Sequence, residues 1–171
     1  MGSTNPAWLT AARALLGTRE AAGAANNPSI LAWAKQLGVR VLGIVYNADS
    51  VPWCGLFVAN CLRAAGVSLD EMKVGVRAKA WATWGSVIAA DRLAPGAILV
   101  FERTGGGHVA FYVGEDASHY HVLGGNQGDA VSIMRLEKSR CIARRWPKGW
   151  PVIGGPVRLS AVGAPISRDE A

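Results

Sequence analysis

Three short stretches hold the residues that could carry covalent chemistry. The first is Asp49-Ser50-Val51-Pro52-Trp53-Cys54-Gly55-Leu56-Phe57-Val58, in which a thiol stands at the opening of an apolar run. Asp49 and Ser50 can cap a helix, Pro52 suits its first turn, and Gly66 can end it. A cysteine at a helix N-terminus meets unpaired N–H groups and the positive end of the dipole, which favour a thiolate. The same N–H groups can hold an oxyanion. The second stretch is Gly105-Gly106-Gly107-His108-Val109-Ala110-Phe111-Tyr112-Val113, where a histidine opens a strand after three glycines. The third is Leu123-Gly124-Gly125-Asn126-Gln127. Thiolate attack on an amide needs a base that later protonates the leaving amine, and that base needs an orienting acceptor on its second ring nitrogen. Cys54, His108 and Asn126 fill these roles in order. Read singly, Cys54 could be a buried apolar residue, His108 a strand residue and Asn126 a turn residue. His119 and His121 are alternative bases on one strand face, without the glycine approach of His108.

The elements that must position these groups change character along the chain. Asn5-Pro6 and Asn27-Pro28 read as helix starts, followed by apolar residues at helical spacing up to Gly17 and Gly38. Residues 39–46 fit either a short strand or an extended approach to the cysteine helix. Residues 77–84 form a short helical piece that places Trp81 and Trp84 on one face. After Pro95-Gly96, strands are predicted over 97–102, 108–114, 119–123, 130–136 and 140–146, as an antiparallel meander. Helices followed by strands predict an α+β fold with the cysteine helix packed on a sheet of about five strands. Residues 1–147 are expected to form the catalytic domain and 148–171 an irregular tail. Cys61, seven residues from Cys54, and Cys141 are expected in the core. Glu20 reads as a loop or capping acid. Tyr46, Asp49, Trp53, Trp81 and Trp84 are candidates for a substrate groove.

The chain has 171 residues, half of them apolar, enough for one domain with a real core. Its three cysteines lack paired spacing, which argues against a disulfide framework. No CxxC or HxxxH pair supports a metal site, so no cofactor is expected. A charge of +6 and a pI near 9.7 point to an anionic partner surface. Arg144, Arg145 and Lys148 read as a basic rim near a groove rather than a nucleic-acid stripe. No secretory signal or membrane span is recognisable, so synthesis in a cytoplasm without stable membrane insertion is the expectation; a monomeric state is expected as well.

With these residues in place the chain resembles the papain-like cell-wall amidohydrolases of the NlpC and CHAP types, and within them short phage endolysins and prophage peptidases. The resemblance runs to about Pro147. It rests on Glu20 with Asn26-Asn27-Pro28-Ser29-Ile30, the Pro52 to Val58 motif, Trp81 with Trp84-Gly85, and the motifs around His108 and Asn126. It implies a papain-like fold and a cysteine peptidase or amidase that cuts an amide bond of peptidoglycan through Cys54, His108 and Asn126. A thioester intermediate and chemistry without metal also follow, with action on the wall after release or delivery. A secreted antibacterial amidase effector would carry the same triad, and a non-catalytic wall-binding or tail-structural domain is the contrasting expectation. One common branch has Asp before the cysteine and Ser after it, where this chain has Trp53 and Gly55.

Overall fold

The computed structural model describes residues 5–21, 25–162 and 165–167. Three α-helices come first: α1 (Ala7–Ala14), α2 (Pro28–Leu42) and α3 (Cys54–Ala64). Six strands follow: β1 (Ser86–Val87), β2 (Ile98–Arg103), β3 (Gly106–Glu115), β4 (His119–Gly124), β5 (Ser132–Glu137) and β6 (Cys141–Trp146). Every strand pair is antiparallel, and with the helices ahead of the sheet the fold is α+β, as the sequence predicts.

Local chemistry explains the helices. Asn27 caps α2, its side chain accepting from the N–H groups of Ser29 (2.7 Å) and Ile30 (3.4 Å), and Pro28 follows where its missing N–H costs nothing. Gly38 leaves helical geometry (φ 78°, ψ 170°), as a stop there requires, but the chain turns helical again and ends at Gly43 (φ 82°). Residues 39–42 are therefore a further helical turn, and β-branched Val39 and Val41 do not impose a strand. In α3 every residue from Cys54 to Leu62 is buried, which marks a core helix rather than an amphipathic surface one. It packs against α1, α2 and β3. A line of rings crosses these layers: Trp33 of α2 lies 6.1 Å from Phe57 of α3, which lies 6.2 Å from Phe111 of β3.

The sheet corrects the expected meander. Its order is β1-β6-β2-β3-β4-β5, so β6 returns to pair with β2, and a two-residue strand, β1, extends that edge. Only three residues, Lys138–Arg140, join β5 to β6, although three strands separate them in the sheet. Four interstrand spacings in a flat sheet span about 19 Å, whereas four Cα steps reach about 14 Å. The sheet must therefore curl until its edges approach at that end. Sequence periodicity carries no trace of this closure, because each strand reads the same whichever neighbour it takes.

The β3–β4 connection is locked by Asp116, which is buried. Its Oδ2 accepts from Arg135 Nε (2.8 Å) and pairs with His121 Nε2 (2.8 Å), while Oδ1 accepts from the N–H groups of Ser118 and His119. His119 and His121 thus serve this turn. The Arg135 hydrogen bond, with help from the two N–H groups and His121, holds the Asp116 carboxyl well below the usual carboxylate range. A depressed folded-state pKa contributes stability that is complete above the ordinary Asp range and drains away as pH falls toward the folded value. Asp116→Asn is expected to lower the unfolding free energy by about 3 kcal/mol, because it strands buried Arg135. Denaturant unfolding at neutral pH checks this, and an unchanged midpoint would refute it.

Beyond Pro147 the described residues form no helix or strand, but they do not leave the surface. Leu159 donates to the Glu115 carbonyl and Glu115 to that of Val157 (both 2.8 Å), and Arg135 forms a bridge with Ile166. Among the described residues no helix is long and apolar enough to cross a membrane.

Candidate active site

Cys54 is the first residue of α3 and is 4% exposed. Pro52 lies ahead of the helix, and no side chain caps it. Asp49 does not reach the helix: its carboxylate accepts from the N–H groups of Ala21 (2.8 Å) and Asn27 (2.7 Å), and its own N–H donates to Asn26 Oδ1 (3.0 Å). It braces the α1–α2 link against the loop before the thiol. Without a cap, the first-turn N–H groups of α3 remain directed at the site. Gly55 has a steric reason: a β-carbon there would lie far inside van der Waals contact distance of the Gly75 carbonyl oxygen and 3.0 Å from that of Val76. The loop before the 3-10 segment Ala78–Thr83 therefore rests directly on the nucleophile turn.

His108 sits on β3, fully buried, opposite Phe101 of β2. The sequence reading puts Asn126 on its ring; the structure puts Gln127 there. Gln127 Oε1 lies 2.8 Å from His108 Nε2, while Gln127 Nε2 donates to the carbonyls of Ser132 (2.8 Å) and Val122 (3.3 Å). Those two acceptors settle the orientation of the amide, so its oxygen faces the imidazole. An acceptor at Nε2 places the proton on that nitrogen, and the interaction of the ring with the thiol falls to Nδ1. Asn126 instead takes the left-handed turn (φ 61°) beside Gly128 and Asp129, a conformation its short amide side chain tolerates. The preceding glycines allow close approach. A β-carbon on Gly124 would lie 2.6 Å from Gln127 Oε1, and one on Gly125 2.7 Å from Phe57 Cβ.

A cleft of about 460 Å³ opens over Cys54, lined by Val51 and Pro52, by residues 76–79, and by Arg103 with the glycines 105–107. None of the five aromatic and acidic groove candidates lines it. Trp53 and Trp81 are fully buried, with indole N–H groups donating to Glu20 Oε1 (3.1 Å) and the Gly75 carbonyl (2.9 Å). Glu20 is thus a partner of the residue preceding the thiol. Trp84 stacks edge-on to Trp81 and lines a different pocket of about 300 Å³ with Trp150, Glu71 and Lys148. Tyr46 donates to the Val51 carbonyl (2.8 Å); burial, then the charges of Asp49, Glu20 and Cys54, push its phenol up. The predicted basic rim is also elsewhere. Arg145 is engaged by the carbonyls of Thr83, Trp84 and Gly85, and Arg144 by the Tyr120 hydroxyl. Sequence pattern missed the cleft because its walls are loops, brought to Cys54 by packing and not by periodicity.

Residues 46–126 match the family model of the CHAP domain. This stretch is similar to the catalytic domain of the papain-like cell-wall amidohydrolases, and the match supports that superfamily for the chain. CHAP domains are typically cysteine- and histidine-dependent amidases or peptidases, so the match supports peptidoglycan hydrolase or amidase activity in general terms. The match spans Cys54 and His108 and ends one residue before Gln127. No curated protein matches the chain.

The acidity of the chain's three thiols follows from their surroundings. Burial opposes ionisation of Cys54, but the hydrogen bond and charge of His108, with the N–H groups of Val109 and Gly55, outweigh it and hold the thiol below its ordinary value. Burial alone pushes Cys61 far up, and burial also raises Cys141. All three are free thiols. Iodoacetamide at neutral pH is therefore expected to alkylate Cys54 first. Its rate should level off at a pH below that at which an ordinary thiol titrates, because a depressed pKa makes thiolate available earlier. Peptide mapping that found Cys61 or Cys141 labelled ahead of Cys54 would contradict this ordering.

Proposed function

We propose that the chain is a thiol amidase or endopeptidase of the peptidoglycan stem peptide or cross-link, with Cys54 as nucleophile, His108 as acid and base, and Gln127 as the residue that orients His108. The observation that carries this reading is the Gln127 amide, pinned by two carbonyls and set 2.8 Å from His108 Nε2. It makes Nδ1 the proton carrier toward Cys54.

The reaction then runs through two displacements. Sγ attacks the scissile carbonyl carbon as His108 takes up the thiol proton, and the oxygen gains charge that the N-terminal amides of α3 stabilise. His108 returns that proton to the departing amine as the C–N bond breaks, leaving a thioester. Water attacks the thioester, its proton passes to His108, and the C–S bond breaks to release the acid and restore the thiol. Gln127 is a positioning residue throughout: a neutral acceptor that holds the ring without itself changing charge.

The sequence resemblance to short phage and prophage peptidases supports the role of an endolysin, acting on the wall after release or delivery. Digestion of purified peptidoglycan followed by mass spectrometry tests the reading. New amino termini on stem peptides or cross-links identify an endopeptidase, and stem peptides freed from the muramic acid identify an amidase. Release of new reducing sugar ends, or of nothing by folded protein, would overturn it.

A further inference from the structure

The cleft over Cys54 is walled by cations. Arg77, Lys79 and Arg103 line it, and no carboxylate does so among the described residues. They flank both reacting side chains. Arg77 follows Val76, whose carbonyl lies 3.0 Å from the β-position of Gly55, next to the nucleophile. The Lys79 stem covers Gly107, with Cγ 2.8 Å from that β-position, next to His108.

Two of the three are already engaged. Lys79 Nζ pairs with Glu102 Oε1 at 3.0 Å. Arg103 donates from Nε to the Gly107 carbonyl (3.1 Å) and from a terminal nitrogen to that of Thr104 (3.2 Å), bracing the glycine turn. The Arg77 side chain is exposed and makes no hydrogen bond or ion pair with the described residues. A guanidinium presents a planar fork matched to a carboxylate, and a cleft wall without acids adds no competitor for it.

We propose that Arg77 reads a free carboxylate on the peptide, within a residue or two of the scissile amide, so that this site selects stem peptides bearing an acidic residue over those in which that group is a carboxamide. The inference rests on the stem-peptide reading above and adds the substrate class. A carboxylate would accept two N–H bonds from the Arg77 fork; a carboxamide presents one oxygen and no charge, and its NH₂ faces donors.

The test uses two synthetic stem peptides identical except for that carboxylate or its carboxamide, with kcat/KM measured for the native protein, Arg77→Gln and Arg77→Lys. The native protein is expected to favour the acidic peptide by about tenfold or more, since hydrogen bonds to a charged group are the stronger class. Arg77→Gln should lose that preference, its kcat/KM falling about tenfold on the acidic peptide, mostly through KM, and far less on the carboxamide. Arg77→Lys should keep part of it, as a point charge without the fork. Equal kcat/KM for both peptides in the native protein, or an equal fall on both in Arg77→Gln, would overturn the assignment. If the native protein cleaves neither peptide while iodoacetamide still labels Cys54, the stem-peptide reading itself fails.

Discussion

Cys54→Ala is expected to reduce product release from purified peptidoglycan by about 10⁴-fold or more. The loss is chemical, not structural: the substitution removes one sulfur from a site bordering an open cleft and keeps the β-carbon and helix propensity. Circular dichroism and thermal unfolding should therefore remain native while activity vanishes. Cys54→Ser should be nearly as inactive, because a hydroxyl receives the same hydrogen bonds without reaching the acidity of the thiol. Appreciable turnover by Cys54→Ala would place the nucleophile elsewhere. The inactive variant should still bind peptidoglycan, since the cleft walls at Arg77, Lys79 and Arg103 are untouched.

Gln127→Ala is expected to lower kcat by about 10²-fold, the scale of a slightly misplaced reacting group, whereas Asn126→Gly should change it no more than a few-fold. The contrast follows from position. Gln127 holds His108 Nε2 and is itself held by Val122 and Ser132. Asn126 supplies a left-handed turn that glycine also adopts. KM should stay close to native in Gln127→Ala, because the amide is buried behind the histidine and away from the cleft walls. A loss confined to Asn126→Gly, with Gln127→Ala active, would return the orienting role to Asn126.

The difference between these two neighbours shows where sequence reasoning stops. Cys54 and His108 are legible because each has a local signature, a thiol opening an apolar helix and a histidine opening a strand after glycines. The amide is legible as a pair, Asn126-Gln127, but not as a member of it. Both side chains are buried, and the left-handed backbone at Asn126, invisible in composition, accompanies the turn that leaves Gln127 rather than Asn126 on the imidazole. The signal that could have favoured Gln127 was its longer side chain, which can reach a buried imidazole and two carbonyls together. The class of fold was readable from helical periods giving way to strands, whereas the return of β6 to β2 and the loop-built cleft depend on contacts between distant segments. Buried tryptophans were offered as groove residues because an indole serves a core and a sugar face equally well on paper. Trp53 and Trp81 proved to be tied to Glu20 and Gly75 instead.

The contact between Gly55 and the Gly75 carbonyl also constrains how such a chain can diverge. The position after the thiol cannot gain a side chain unless the loop at 75 withdraws, and that loop carries the cleft-wall residue Arg77 and the Gly75 acceptor for Trp81. A serine placed at 55 alone would therefore press on the Gly75 carbonyl and is expected to destabilise the nucleophile turn. Positions 55 and 75 are therefore coupled: any change that seats a side chain behind the thiol must also move the segment that carries a charge of the cleft wall.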